Sequence, residues 1–326
     1  MAAPVRTDAD WLAAAAALAA RGRPLSRPNP AVGAVVVADG KVAGRGWTQP
    51  GGRPHAEADA LAQAGPLARG ATLYVTLEPC AHQSLRGPSC SSLVVGSGLA
   101  RVVIGCEDPD PRTAGSGIAA LRSAGIETQV MASSAASASL AGYLTRARLG
   151  RPHTTLKLAT SLDGRIALPD GTSRWITGPE ARAHAHLERA RADAILVGGE
   201  TLRTDAPRLD VRLAGLEGRS PARFVLTRGS APHGWSAVSS ATASFGDAQY
   251  LLVEGGAGAA AAFLAADAVD RLLLYRAPIV IGEGRPCIGD IGLGSLEGAH
   301  GRWRLADRRV LGSDTLDVYE RTAKED

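Results

Sequence analysis

The alternation of apolar and polar positions divides the first 131 residues into short helices and strands. The alanine-rich run WLAAAAALAARG, which Thr7 or Asp8 can cap, predicts a helix. Two β-rich runs over 31–47 flank Asp39-Gly40, a dipeptide that favours a tight hairpin turn. The runs that follow predict, alternately, helices and strands at 55–65, 71–79, 90–98, 100–106, 117–125 and 126–131. This order predicts one sheet with helices on both faces.

The pattern restarts after a Ser/Ala-rich patch, a short helical run and Pro152. We therefore predict a domain boundary between 145 and 146, which suits a chain of 326 residues, since single domains usually have about 150. The second half predicts another α/β domain with its elements in a different order. Its strands are predicted at 154–161, 192–199, 223–227, 249–256 and 271–282, and its helices at 178–191 and 259–266.

Composition narrows the class of protein. The formal net charge is only +4, and the basic residues, of which three in 36 are lysine, are spread along the chain. This indicates a compositional bias rather than a nucleic-acid-binding surface. Asp8 and Asp10 spoil the positive flank that a signal peptide needs, and no apolar run reaches 18 residues, so a cytoplasmic location is predicted. The four cysteines are then free thiols or metal ligands.

Two short motifs in the first half point to metal chemistry. His55-Ala56-Glu57 opens a predicted helix, and Pro79-Cys80 follows the next predicted strand. This order is typical of zinc-dependent base deaminases. Zinc prefers imidazole and thiolate ligands and keeps one position for water in a catalytic site, so His55, Cys80 and Cys90 are the predicted ligands. Glu57 is predicted to carry protons from the water to the ring nitrogen and the departing ammonia.

Other interpretations of these residues stay open. The cysteines could be small buried apolar residues, and H-x-E occurs often by chance. A purely structural zinc site is also possible, with His82 as a fourth ligand. The spacing departs from the usual C-x-x-C of nucleobase deaminases, because nine residues separate Cys80 from Cys90.

Longer segments carry a resemblance to a known family. RPNPAVGAVVV, GGRPHAEADAL, ATLYVTLEPCAH and RGPSC resemble the deaminase half of the bifunctional riboflavin-biosynthesis deaminase/reductases. TLKLATSLDGRIAL, SRWITGPEAR, DAILVGGETLRTDAPRL and LLVEGG resemble the reductase half, so nearly the whole chain is covered. The resemblance implies a cytidine-deaminase-like α/β/α sandwich over 1–145 and a dihydrofolate-reductase-like α/β domain over 146–326.

The resemblance implies two successive reactions. The first is zinc-dependent hydrolytic deamination of 2,5-diamino-6-(5-phosphoribosylamino)pyrimidin-4(3H)-one. The second is NADPH-dependent reduction of the ribosyl group of 5-amino-6-(5-phosphoribosylamino)uracil to ribityl. A homodimer or larger assembly joined through the reductase halves is also implied, with neither a nucleic acid nor a membrane as partner.

Two other functions compete with this one. A nucleoside or tRNA deaminase fused to an unrelated domain predicts aromatic or basic RNA contacts, yet aromatic residues make up only 4% of the chain. A zinc-stabilised binding module without catalysis has no need for Glu57 in its position.

The resemblance also assigns site residues in the deaminase half. Asn29, His82 and Arg86 match positions that contact the substrate, the last two of them in a loop between Cys80 and Cys90 that helps enclose it. An amide suits a buried base, and Arg and His suit a phosphate. The loop is one residue longer than the commonest form in the family, which leaves the alignment of Arg86 open.

In the reductase half, Lys157 matches a lysine near the ribose. The hypothesis is that Lys157 and Glu254 assist ring opening by proton transfer, and the alternative is an edge-strand lysine in water. VEGGAG ends a strand and begins a helix, where backbone N–H groups can meet a phosphate. The implied cofactor residues are Ala159, Trp175, Thr201, Asp205, Gly256, Ala257, Gly258, Ala259, Ala260, Ala261 and Ala262. The implied substrate residues are Ser173, Arg189, Leu209, Arg212 and Glu254.

Two positions depart from the reductase pattern. Ala206 stands where the family usually has Asp or Asn before the proline, and Thr227-Arg228 replaces a usual Asp-Ser after a strand. Arg228 could pair with the 2′-phosphate of the cofactor, or the segment could bind the cofactor differently.

Overall fold

The computed structural model describes residues 6–82 and 86–322, and the chain divides into two compact units, 1–150 and 151–326. No helix within the described ranges has both the length and the apolar character needed to cross a membrane.

The first unit is a five-stranded sheet with helices on both faces, as the sequence predicts. The strand order is β2-β1-β3-β4-β5; β1 is antiparallel to β2 and β3, whereas β3, β4 and β5 are parallel. The strands are β1 (Gly33–Ala38), β2 (Lys41–Trp47), β3 (Thr72–Val75), β4 (Arg101–Ile104) and β5 (Glu127–Val130). The helices are α1 (Asp8–Ala19), α2 (Ala56–Ala64), α3 (Cys90–Gly96), α4 (Ser116–Ser123), α5 (Ser134–Ser139) and α6 (Ala141–Leu149).

Local sequence signals account for the first elements. Thr7 caps α1 in a capping box with Asp10, each side chain bonding the backbone of the other residue. Asp39 and Gly40 adopt left-handed backbone angles, with φ of 49° and 71°, and close the β1–β2 hairpin. These features confirm the predicted first helix and hairpin.

Helix α2 packs unusually close to strand β2. A Cβ atom on Gly44 would lie 2.1 Å from the Ala60 carbonyl oxygen, and one on Gly46 would lie 2.3 Å from that of Ala56. Such distances are far inside van der Waals contact, so only glycine permits this approach. The helix that follows His55 therefore rests directly on the backbone of β2.

The second unit contains an eight-stranded sheet of order β10-β9-β8-β11-β6-β12-β15-β14 and a small β7–β13 pair. The strands from β10 to β12 are parallel, and β15 and β14 continue the sheet antiparallel. The strands are β6 (His153–Thr160), β7 (Arg165–Ala167), β8 (Ala194–Gly198), β9 (Ala222–Leu226), β10 (Ser236–Val238), β11 (Tyr250–Val253), β12 (Arg271–Arg276), β13 (Arg285–Pro286), β14 (Trp303–Leu311) and β15 (Asp314–Arg321). The helices are α7 (Pro179–Ala190), α8 (Gly199–Asp205) and α9 (Ala257–Ala265).

The sheet register places Lys157 well inside the second unit. Strand β6 lies between β11 and β12, with Leu156 opposite Val253 and Lys157 opposite Leu273. The alternative of an edge-strand lysine is therefore wrong. The carboxyl ends of β6, β8 and β11 lie at one edge of the sheet, the edge where parallel α/β sheets usually bind ligands.

The structure corrects the predicted elements of the second half in two ways. The strand predicted over 271–282 ends at Arg276, since Pro278 has no backbone N–H to continue the ladder. The hydrophobic pattern also fails to predict six elements: β7, α8, β10 and β13 to β15. Strand β14 is exposed at six of its nine positions, so no apolar periodicity marks it.

Candidate active sites

The first site lies where α2, α3 and the segment after β3 meet. His55 is the N-cap residue of α2, Cys90 is the first residue of α3, and Cys80 follows β3 by five positions. His55 Nδ1 lies 3.1 Å from Cys90 Sγ and 3.6 Å from Cys80 Sγ. The ends of two helices and one strand thus bring these three side chains together, although His55 and Cys80 are 25 positions apart in sequence and Cys80 and Cys90 are 10 apart.

The arrangement of these donors suits zinc. With usual Zn–S and Zn–N lengths, tetrahedral geometry places an imidazole nitrogen and a sulfur about 3.6 Å apart. All three donor atoms lie within 4.8 Å of one another, and they form the cluster of possible metal ligands found in the described residues. His82 does not belong to this cluster, which argues against a structural zinc site with four protein ligands. Cys80 and Cys90 are free thiols and do not form a disulfide.

Hydrogen bonds within the cluster shift the pKa values of all three side chains. A hydrogen bond from the Cys90 thiol lowers the pKa of Cys80 to about 4, and the same bond, with burial, raises the pKa of Cys90. The hydrogen bond with Cys80 raises the pKa of His55. The lowered pKa of Cys80 favours its thiolate, which is the form that binds metal ions.

Glu57 lies one residue into α2 beyond Ala56, with only 3% of its surface exposed. Burial raises its pKa to about 6. A carboxyl group in this range can both accept and release a proton near neutral pH. Asn29, predicted to contact substrate, has its amide nitrogen 3.2 Å from His55 Nε2 and donates to the Gly52 carbonyl oxygen at 3.0 Å.

The loop between Cys80 and Cys90 is described in part, because residues 83–85 lie outside the described ranges. His82 is half-buried, with Nδ1 3.5 Å from Thr113 Oγ1. Arg86 is exposed, and its Nη1 donates to the Gly51 carbonyl oxygen at 3.4 Å. Both side chains belong to the loop that joins two of the possible metal ligands.

Sequence reasoning missed Glu78. Its buried carboxylate accepts four backbone N–H bonds, at 2.9–3.3 Å, from Asp108, Gly115, Gly117 and Ile118. These bonds fix the start of α4 and the preceding loop against the Pro79-Cys80 segment. No local signal identifies this role, since the partners lie 30 to 40 positions later in the chain.

The second site is a cavity of about 630 Å³ at the carboxyl ends of the parallel strands of the second unit. Most of the predicted residues line it: Lys157, Ala159, Ser173, Trp175, Arg189, Thr201, Asp205, Leu209, Arg212, Glu254, Gly256, Ala257 and Gly258. The rest of the predicted cofactor run, Ala259 to Ala262, does not. Ala259, Ala260 and Ala261 are buried, because successive residues of α9 turn away from the cavity toward the core.

Glu254 is the centre of an ionic group in this cavity. Arg189 donates to both of its carboxylate oxygens, at 2.6 and 2.8 Å, and Lys157 Nζ lies 3.8 Å from Oε2. Burial acts to raise the pKa of Glu254, but the hydrogen bonds from Arg189 and the charge of Lys157 outweigh it, so the pKa is lowered. Glu254 is thus ionised, and it holds the Lys157 ammonium group at the cavity.

The start of α9 suits a phosphate group. A side chain on Gly258 would meet nothing within 4 Å, so the backbone is open to the cavity there. Thr201 Oγ1 accepts the Gly256 N–H at 3.1 Å and fixes the turn before the helix. Free N–H groups at a helix start attract anions, which fits the pyrophosphate of NADPH.

The backbone explains one departure from the reductase pattern. Ala206 ends α8 in the left-handed region, with φ of 40°, and Leu209 has φ of 54°. Asp and Asn tolerate this conformation much better than Ala does. Ala206 therefore carries backbone strain in the wall of the cavity. Arg228 is exposed just after β9.

Comparison with known proteins identifies a known domain in each half of the chain. Residues 5–106 match the cytidine and deoxycytidylate deaminase zinc-binding region, and residues 152–244 and 241–316 match the RibD C-terminal domain. The riboflavin biosynthesis protein RibD of Aquifex aeolicus is 36% identical, over 96% of this chain and 98% of its own length.

Two solved structures have the same fold over nearly the whole chain. RibD of Acinetobacter baumannii, form 1, is 32% identical with a TM-score of 0.84, and the deaminase/reductase of Thermotoga maritima is 29% identical with a TM-score of 0.83. Each match covers 97% of this chain and 99% of the other.

The chain therefore joins a zinc-binding deaminase domain to a reductase domain. It belongs to the RibD family of bifunctional, zinc- and NADPH-dependent deaminase/reductases of riboflavin biosynthesis. The predicted fold class, the two activities and the two cofactors are confirmed.

Proposed function

We propose that the first unit deaminates 2,5-diamino-6-(5-phosphoribosylamino)pyrimidin-4(3H)-one and that the second reduces the ribosyl group of the resulting aminouracil to ribityl. The observation that carries this proposal is the pairing, in one chain, of a His55–Cys80–Cys90 cluster beside a buried Glu57 with a cavity that holds an ionised Glu254. The Thermotoga maritima relative is named for the same two reactions.

In the deaminase site, we assign zinc binding to His55, Cys80 and Cys90. Zinc bound there supplies Lewis acidity toward water. Glu57 takes one proton from the attacking water and delivers it to the ring nitrogen. It then carries the second proton, from the hydroxyl group that the water has become, to the amino group, which leaves as ammonia. Asn29 hydrogen-bonds an edge of the pyrimidine beside His55. His82 and Arg86 bind the phosphoribosyl group of the substrate.

In the reductase site, NADPH bound at the start of α9 supplies a hydride. Lys157 donates a proton to the ribose ring oxygen as its bond to C1′ breaks, which exposes a reducible C=N group. Glu254 holds the Lys157 ammonium group in position, since their charged groups lie 3.8 Å apart. Arg189 fixes Glu254, whereas Ser173, Leu209 and Arg212 border the substrate.

The test is to incubate the purified protein with the diaminopyrimidine ribotide, with and without NADPH. Ammonia should appear without NADPH, because the deaminase residues need no reductant. NADPH should be consumed only after ammonia has been released. NADPH oxidation with no prior ammonia release would contradict the proposed order, and ammonia release from cytidine or tRNA instead would favour the other deaminase function.

We further propose that the protein works in the cytoplasm as a homodimer or larger assembly, as in the family resemblance. Its dispersed charge and low aromatic content support a small phosphorylated substrate rather than a nucleic acid as its partner. Light scattering of the purified chain tests the assembly, and a mass of one chain would contradict it.

A further inference from the structure

Arg53, beside the deaminase site, has no hydrogen-bond partner or counter-ion among the residues that the structure describes. It lies two residues before His55, and its Nε atom is buried without a hydrogen bond. Buried donors are nearly always satisfied, and a charged one left alone is costly, so this group calls for an anionic ligand.

The surroundings of Arg53 place it beside the loop that carries Arg86. Its Nη1 lies 3.6 Å from the position that a Cβ atom on Gly87 would take. Arg86, the neighbour of Gly87, reaches in the other direction and donates to the carbonyl oxygen of Gly51. The segments 51–53 and 86–87 therefore lie side by side. The Arg53 side chain reaches toward Gly87, and the Arg86 side chain reaches toward Gly51.

Arg53 and Arg86 extend from neighbouring segments, and an anion bound beside both guanidinium groups would offset the repulsion between two like charges. The proposed substrate has one strongly anionic group, its phosphate, and guanidinium forks match phosphate oxygens in geometry.

We propose that Arg53 is a second phosphate-binding residue of the deaminase site, opposite Arg86. Arg53 takes no part in the chemistry. It determines specificity for a phosphorylated pyrimidine over its unphosphorylated riboside. This inference rests on the proposed function and extends it to a residue that the family resemblance does not assign.

The experiment compares wild type with Arg53→Gln, Arg53→Lys and Arg45→Gln in the deaminase assay. Arg45 is an exposed arginine on β2 of the same unit and serves as the control. Arg53→Gln should raise KM for the diaminopyrimidine ribotide about tenfold, with kcat and zinc content unchanged, because one charge-assisted contact to phosphate is lost. Arg53→Lys should restore part of the affinity, and Arg45→Gln should behave as wild type.

A second measurement identifies the group that is bound. Ribose 5-phosphate should inhibit deamination competitively, and Arg53→Gln should raise its inhibition constant by the same factor as KM. An unchanged KM would overturn the proposal, as would a raised KM with an unchanged inhibition constant, or a loss of kcat together with zinc. Wild-type protein that releases no ammonia would instead refute the proposed function itself.

Discussion

In the first unit, four side chains from two helix starts and one strand end form a compact, mostly buried site, whereas the cavity of the second unit is walled by residues from several strands, helices and loops. The first depends on residue types that few other positions could supply. The second depends on the shape of a sheet edge and on one ionic group. Loss of a single side chain should therefore abolish the first activity and only weaken the second.

The largest effect should come from the proposed zinc ligands. Cys90→Ala should reduce bound zinc to near zero and abolish ammonia release, because two protein ligands hold the ion poorly. Metal analysis and both assays test this, with Cys106→Ala, a half-buried cysteine of the same unit, as control. Dipicolinate treatment of wild type should give the same loss of deamination while reduction of the aminouracil ribotide persists. Equal loss of both activities would refute the independence of the two sites.

Removal of the proposed proton carrier should have the next largest effect. Glu57→Gln should lower the kcat of deamination about a thousandfold, since general acid–base groups typically contribute factors of about 10²–10⁴. Zinc should remain bound, because Glu57 is not among the ligands. Reduction of the aminouracil ribotide should continue at the wild-type rate. Ammonia release at the normal rate would show that another group moves the proton.

Lys157→Met should slow reduction about a hundredfold and leave deamination intact, because the proposed proton donor for ring opening is lost. Lys41 is exposed on β2 and offers a matched control, Lys41→Met, with no effect on either activity. NADPH consumption and ammonia release measure the two steps separately. A parallel fall in both rates would mean that the substitution disturbs the whole chain.

Glu254→Gln should destabilise the second unit by about 3 kcal/mol at neutral pH, because Lys157 and Arg189 would lose their shared counter-charge. The folded-state pKa of Glu254 is lowered, so its contribution is complete above the ordinary glutamate pKa and is lost as the pH falls through the lowered value. Hydrogen exchange of β6 and β11 across a urea series, at pH 7 and in acid, measures this. Glu217→Gln, at an exposed position of the same unit, should have almost no effect. If the difference in the free energy of unfolding between wild type and variant grew larger in acid, the assigned direction of the Glu254 pKa shift would be wrong.

The smallest effect concerns the strained cavity wall. Ala206→Asn should stabilise the second unit by about 0.5–1 kcal/mol, since Asn tolerates the left-handed backbone, and Ala206→Gly should do much the same. The same exchange at Ala183, exposed within α7, should destabilise instead because Asn is a poor helix former. Thermal unfolding tests both directions. A loss of stability in Ala206→Asn would mean that relief of backbone strain is outweighed by contacts that the alanine methyl group makes.

The two sites also differ in how far the sequence predicts them. His55, Glu57, Cys80 and Cys90 could be chosen from residue type and order alone, and the structure brings them together. Glu78 could not, because its four N–H donors are distant in sequence and carry no side-chain signal. In the second unit, an unbroken alanine run gave no clue to which face of α9 meets the cavity, and the arginine-rich β14 lacks the apolar alternation that marks other strands.

The two glycines of β2 control the position of the helix that carries residues of the deaminase site. An alanine at position 44 or 46 would push α2 off the sheet, and this helix carries His55 and Glu57 with it. Neither glycine has a side chain that could take part in the reaction. In a scan of all substitutions scored by ammonia release, both positions should tolerate change as poorly as the proposed zinc ligands do. Intolerance alone would therefore not identify a residue as part of the chemistry.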